Sequence, residues 1–134
     1  MSDISILTMD GHNYRRLDIL EYEVGLEILD GEGTGRTRAN TWPMIRDPQG
    51  FLINLYLEIG ATSNECPEYR RLWQLAKSFG SRDFAPVTFR DPVGDTISQN
   101  MYIVLGKLKA KKFEKNGKVY SHSFKLSLIA QRGN

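Results

Sequence analysis

The sequence predicts a mainly β fold, a β-sandwich or partly closed barrel with one flanking α-helix, and three observations carry that expectation. From Leu20 to Ile28, apolar Leu20, Tyr22, Val24, Leu26 and Ile28 alternate with polar positions that include Glu21, Glu23 and Glu27, the period of a half-buried strand. A second segment puts Phe51, Ile53, Leu55, Leu57 and Ile59 on one face, while the other carries Leu52, Asn54 and Tyr56 before Glu58. That is more apolar surface than one small sheet hides by itself. Helical spacing occurs once: Tyr69, Leu72, Trp73, Ala76 and Phe79 recur at intervals of three and four.

Taken in order, Ile4, Ile6 and Met9 predict a short first strand, and Asp10-Gly11 a turn into the region from Tyr14 to Ile19. A polar loop over about residues 30–50 separates the two long strands. Loops beyond about 12 to 15 residues are usually functional or disordered, so this one reads as a contact loop ordered on assembly. The helix is expected over about 67–79. Pro67 suits its first position, where the missing N–H costs nothing, and Gly80 stands where a left-handed cap belongs. As a lid on the sheet, the helix should bury Trp73 and Phe79, each contributing about 2 to 3 kcal/mol. Strand patterning returns from Phe84 to Arg90 and from Gln99 onward, with a turn at Asp91-Pro92-Val93-Gly94-Asp95. Asn116-Gly117 predicts a type I′ hairpin turn. The hairpin over about 99–131 would then extend on the order of 30 to 40 Å at about 3.3 Å per residue.

The 134 residues suit a single domain, 1–134, large enough to bury roughly two thirds of its unfolded surface. Charged residues make up 25% and hydrophobic ones 40%, and a net charge of +2 does not argue for a polyanion as main partner. Cys66 is the sole cysteine, so no intrachain disulfide forms. The first residues lack a basic stretch followed by an apolar run, and no window reaches 18 apolar residues, which predicts a protein made and folded in the cytoplasm.

The residues offer little for catalysis. His12 and His122 are the only histidines, and no Cys/His cluster suggests zinc or another metal. His122 is read as a core or interface residue on the apolar face of the last strand. Glu21, Glu23 and Glu27 share a solvated face, with nothing near them to raise a pKa. Gly31, Gly33 and Gly35 lack the Lys-Ser/Thr of a phosphate loop and the GxGxxG spacing, so they read as a turn and a flexible tip. Neither cofactor nor enzymatic activity is expected. More telling are Arg36, Arg38 and Arg46 interleaved with Trp42 and Met44, residue types enriched in protein interfaces. With Asp47, Tyr56 and Tyr120 they form the candidate interface set. The alternative is a self-packed loop that plugs one end of the barrel. Lys107, Lys109, Lys111, Lys112, Lys115 and Lys118 cluster late in the chain. A wet strand face with edge protection explains them, and a phosphate-contacting patch is the other reading.

At these residues a resemblance emerges. Leu29-Asp30-Gly31, Gly35-Arg36, Met44-Ile45-Arg46-Asp47 and Gly50 before a strand, then a helix, a Lys-rich hairpin and a last strand ending Leu128-Ile129-Ala130, resemble small structural proteins of tailed bacteriophages and prophages, of the tail and baseplate type. The resemblance spans roughly Ile4 to Gln131. It implies a tail-tube-like fold and a non-enzymatic virion protein that joins copies of itself, as a homo-oligomer and possibly a ring, and contacts neighbouring tail proteins. It also implies assembly in the bacterial host cytoplasm. Heterologous contacts close into rings when the rotation permits. The rival is a small β-barrel that binds nucleic acid through Tyr102, Tyr120 and the lysine cluster.

Overall fold

The computed structural model describes residues 7–30, 35–36 and 44–131, with 35–36 and 44–45 described through their backbone pairing alone. The strands are β1 (Leu7–Met9), β2 (His12–Asn13), β3 (Ile19–Asp30), β4 (Gly35–Arg36), β5 (Met44–Ile45), β6 (Pro48–Ile59), β7 (Ala85–Arg90), β8 (Thr96–Leu105), β9 (Ala110–Phe113), β10 (Val119–Ser121) and β11 (Phe124–Ala130). The helix α1 (Pro67–Ser78) lies between β6 and β7. Seven strands form one antiparallel sheet in the order β2-β1-β7-β8-β11-β6-β3, and β4 with β5 and β9 with β10 form separate two-stranded ribbons. Among the described residues the fold is therefore mainly β with one helix. The large sheet is single and does not close into a barrel: β2 and β3 end it as unpaired edges among the described residues.

The sheet is nevertheless strongly curled. Strands lie about 4.8 Å apart, so in a flat sheet β3 and β7, four places apart in the order, would be separated by roughly 19 Å. Yet the Tyr22 hydroxyl on β3 donates to the Arg90 carbonyl at the end of β7, at 2.6 Å, a reach that requires the sheet to wrap round its core. Burial pushes the Tyr22 phenol up to about 12. Inside the curl lie Leu7, Met9, Tyr14, Leu55, Leu57, Ile59, Phe89, Met101, Leu126 and Leu128, with Leu72 and Leu75 of α1 over them.

Turn chemistry sets the hairpins. Asp10 and Gly11 both adopt positive φ, 50° and 82°, the type I′ requirement, but they join Met9 to His12, so the partner strand is His12–Asn13 and not the 14–19 region. Ile4 and Ile6 lie outside the described residues. At Asn116-Gly117 only Gly117 has positive φ. Glu114 N–H donates to the Lys118 carbonyl and Gly117 N–H to the Glu114 carbonyl, a type I turn followed by a left-handed glycine instead of type I′. The turn Asp91–Asp95 repeats this pattern, with Gly94 as its positive-φ residue. The run from Gln99 to Ala130 is not one continuous ladder: it breaks at Gly106–Lys109 and again at His122–Ser123, leaving β9–β10 as its own ribbon. His122 consequently sits half-buried in the second break and not on the apolar face of β11.

α1 is rotated from its expected stripe. Its buried positions are Glu68, Leu72 and Leu75, while Trp73 stays 37% exposed and falls short of the burial anticipated for it. The cause is Glu68, second residue of the helix, which the chain from β2 to β3 draws inward. Arg16 and Arg15 N–H groups donate to its carboxylate, and His12 Nε2 lies 2.8 Å from Oε2. The Glu68 position also favours a negative charge near the helix N-terminus. At the other end no left-handed cap forms: Phe79 is αR and Gly80 N–H donates to the Lys77 carbonyl.

Burial pushes the Glu68 carboxyl up, but the Arg16 N–H, His12 and the Arg15 N–H outweigh it and hold the carboxyl below its ordinary value. A carboxyl lowered by folding stabilises the native state above its unfolded pKa, about 4.3, and that stabilisation is lost as pH falls through the lower folded value. Urea unfolding should therefore show stability declining as pH drops below about 4.3, with a shallower decline in Glu68→Gln. Glu68→Ala, which strands two backbone donors, should cost about 1 to 3 kcal/mol at neutral pH.

Candidate functional site

Unequal pairing creates the surface of interest. β3 and β6 pair from Ile19↔Ile59 to Asp30↔Pro48, whereas β11 accompanies β6 only from Ile59 to Leu55. Beyond the Val24↔Leu55 row, residues 26–30 and 48–53 run on as a two-stranded arm, about 15 Å long at about 3.3 Å per residue. Its root is tied to the sheet by side chains: Asn54 Oδ1 accepts the Ala130 N–H at 2.9 Å, and Gln99 Nε2 donates to the Ile53 carbonyl at 2.7 Å. On the face continuous with the core, Leu26 stands opposite Ile53 and Ile28 opposite Phe51. Three of these four have little cover: Leu26 is 65% and Ile28 51% exposed, and Phe51 is exposed beside them, while Ile53 at the root packs against the core. A two-stranded ribbon is marginal in water by itself.

The outer face of the sheet has no second layer among the described residues. Tyr56 on β6 lies in a row with Glu23, Ser127 and Val104, and both Tyr56 and Val104 are exposed. The Tyr56 ring rests over Gly25: a Cβ there would come within 2.9 Å of its Cε2, so glycine is required for this close approach. One row away, Glu58 stands between Glu21 and Lys125, and its Oε2 is buried without a hydrogen-bond partner.

The β9–β10 ribbon is held on one side only. Ser121 N–H donates to the Thr62 carbonyl at 2.7 Å, and Asn64 N–H to the Val119 carbonyl at 3.0 Å, which engages β10. All four residues of β9 are exposed, Phe113 at 74%. Lys111 and Lys112 line a cleft of about 440 Å³ with Thr62, Ser63 and Tyr120. Lys118 lies 4.7 Å above the Tyr120 ring centroid and 2.8 Å from Glu65; the bond to Glu65 raises its pKa.

The anticipated interface residues do not converge on one patch. Arg38 and Trp42 lie outside the described residues. Arg36 and Met44 face each other in backbone register as β4 and β5. Arg46 grips Asp30 at 2.9 Å through Nη2, pinning the two ends of the long loop, and Asp47 Oδ1 accepts a bond from Gln49 Nε2. Tyr56 occupies the outer sheet face and Tyr120 the separate ribbon. Alternation in the sequence puts Leu26, Ile28 and Phe51 on the packing face of their strands; what it does not show is that β11 accompanies β6 only as far as Leu55. Among the described residues, no cluster of three His, Cys, Asp or Glu side chains could hold a metal ion. No helix among them is long and apolar enough to cross a membrane. Comparison with known protein families, curated proteins and solved structures finds no match.

Because Leu26 and Ile28 lie outside the core, Leu26→Ser with Ile28→Ser should leave monomer stability within about 0.5 kcal/mol per site. Leu55→Ala, two residues along β6 from Ile53 but fully buried, should cost about 2 to 5 kcal/mol by chemical denaturation.

Proposed function

We propose that this chain is a non-enzymatic structural protein of a phage tail or baseplate, tail-tube-like in fold, acting through ring-type self-assembly and contacts with neighbouring tail proteins in the virion. The observation that carries the assembly part is the apolar arm: Leu26, Ile28 and Phe51 form a contiguous exposed patch on a ribbon that extends past the sheet, and such patches on soluble proteins mark interaction sites. Tyr56 and Val104 extend the apolar surface to the other face. The virion part rests on the resemblance of the sequence to tail and baseplate proteins.

A second reading has one observation in its favour. Tyr120, with Lys118 over its ring and Lys111 and Lys112 beside it, offers an aromatic and cationic surface of the kind that stacks and neutralises single-stranded nucleic acid.

Size-exclusion chromatography with light scattering, together with negative-stain imaging of concentrated protein, tests the first reading: concentration-dependent oligomers or rings are expected. Leu26→Ser with Ile28→Ser should suppress them. A protein that stays monomeric at every concentration and binds a single-stranded oligonucleotide in a salt-sensitive manner on filters would favour the second.

A further inference from the structure

We infer that β9 of one copy docks along the free edge of β3 in a second copy, its lysines set against that strand's glutamates; this rests on the self-assembly reading. Among the open strand edges of the described residues, two carry charge of opposite sign. β3 ends the seven-stranded sheet, and β9 ends the small ribbon whose other strand is already held by residues 62–64. An open edge offers a row of backbone donors and acceptors to an added strand, with alternate side chains setting specificity.

The two edges carry opposite charge. Glu21, Glu23 and Glu27 are exposed on β3, and Glu58 lies in the neighbouring strand directly across from Glu21. None of the four has a cationic partner within salt-bridge distance among the described residues, and Glu58 keeps one buried carboxylate oxygen with no hydrogen-bond partner. On β9, Lys111 and Lys112 are exposed, flanked by exposed Lys109 and Lys115. Lys118 already pairs with Glu65 inside the chain, and Lys125 stands across from Glu58 within the sheet, whereas the β9 lysines lie on an open strand edge. Each edge repels its own kind: β3 against β3 sets glutamate on glutamate, and β9 against β9 sets lysine on lysine. Like charges across an interface suppress the wrong pairing, so only the unlike pairing is favoured. Apolar groups accompany the charges, since Phe113 stands exposed at the end of β9 while Leu20, Leu26 and Ile28 stand exposed along β3. A contact between unlike patches is head-to-tail and propagates to a ring or a filament.

Charge exchange tests this directly. One variant carries Glu21→Lys, Glu23→Lys and Glu27→Lys; the other carries Lys109→Glu, Lys111→Glu and Lys112→Glu. All six positions are exposed, and circular dichroism would check that each variant is folded. Should a triple variant fail to fold, Glu23→Lys and Lys111→Glu serve as the single-site pair. By sedimentation velocity at low salt, each variant alone should associate at least tenfold more weakly than wild type, and an equimolar mixture should regain association, because each then meets an edge of opposite sign. Variants that assemble like wild type, or a mixture that fails to recover, would overturn the edge assignment while leaving self-assembly standing. Wild-type protein that never associates would instead remove the self-assembly reading on which the assignment depends.

Discussion

The ladder between β3 and β6 is the constraint from which the rest of the structure follows. It is the longest pairing in the fold, twelve residues on each strand, and only its inner half has another strand beside it. The inner half supplies Tyr22, Val24, Leu55 and Leu57 to the core and carries the Tyr22 hydroxyl across to Arg90, which holds the sheet in its curl. The outer half cannot be covered by a sheet that has already ended. Burial of a Leu or Ile side chain contributes about 1.5 to 3 kcal/mol, so an uncovered arm is a reservoir of association free energy, and the Asp30 to Arg46 bond keeps its two ends in register without hiding it.

Away from this ladder, polar chemistry chooses between alternatives that apolar patterning leaves open. The apolar stripe of the helix would present Trp73 to the sheet, yet the buried face carries Leu72 and Leu75. The Glu68 carboxylate, gripped by Arg15, Arg16 and His12, decides for Leu75 and leaves Trp73 at the rim of a small apolar groove with Tyr69 and Leu108. On the outer face, Gly25 decides where Tyr56 lies. In both places the deciding residue is one that a hydrophobic stripe does not weigh.

Much of the fold could be read from the chain because its signals are local. Alternation from Leu20 to Ile28 and from Phe51 to Ile59 marks β3 and β6, Pro67 marks the start of α1, and the Gly-bearing turns mark the hairpins. What could not be read depends on partners distant in sequence. Leu26 and Ile28 have the same pattern as Tyr22 and Val24, yet they are exposed because β11 stops pairing at Leu55. A hairpin read as continuous from Gln99 to Ala130 hides two breaks that free β9–β10. Of the interface residues read from composition, Arg46 and Tyr56 lie at the root of the loop and on the uncovered face; the lysine cluster reads as edge protection from the sequence, while the glutamates read as a solvated face and not as an open strand edge.

Taken together, the arm, the uncovered outer face and the two oppositely charged edges describe a subunit whose surface is completed by other subunits. Amide hydrogen exchange across residues 25–30 and 48–54, compared between dilute and concentrated protein, tests this most directly. Exposed, short ladders exchange quickly, so the account predicts fast exchange in dilute monomer and marked slowing as the protein associates. Slow exchange in the monomer, or association that leaves these amides unchanged, would contradict it.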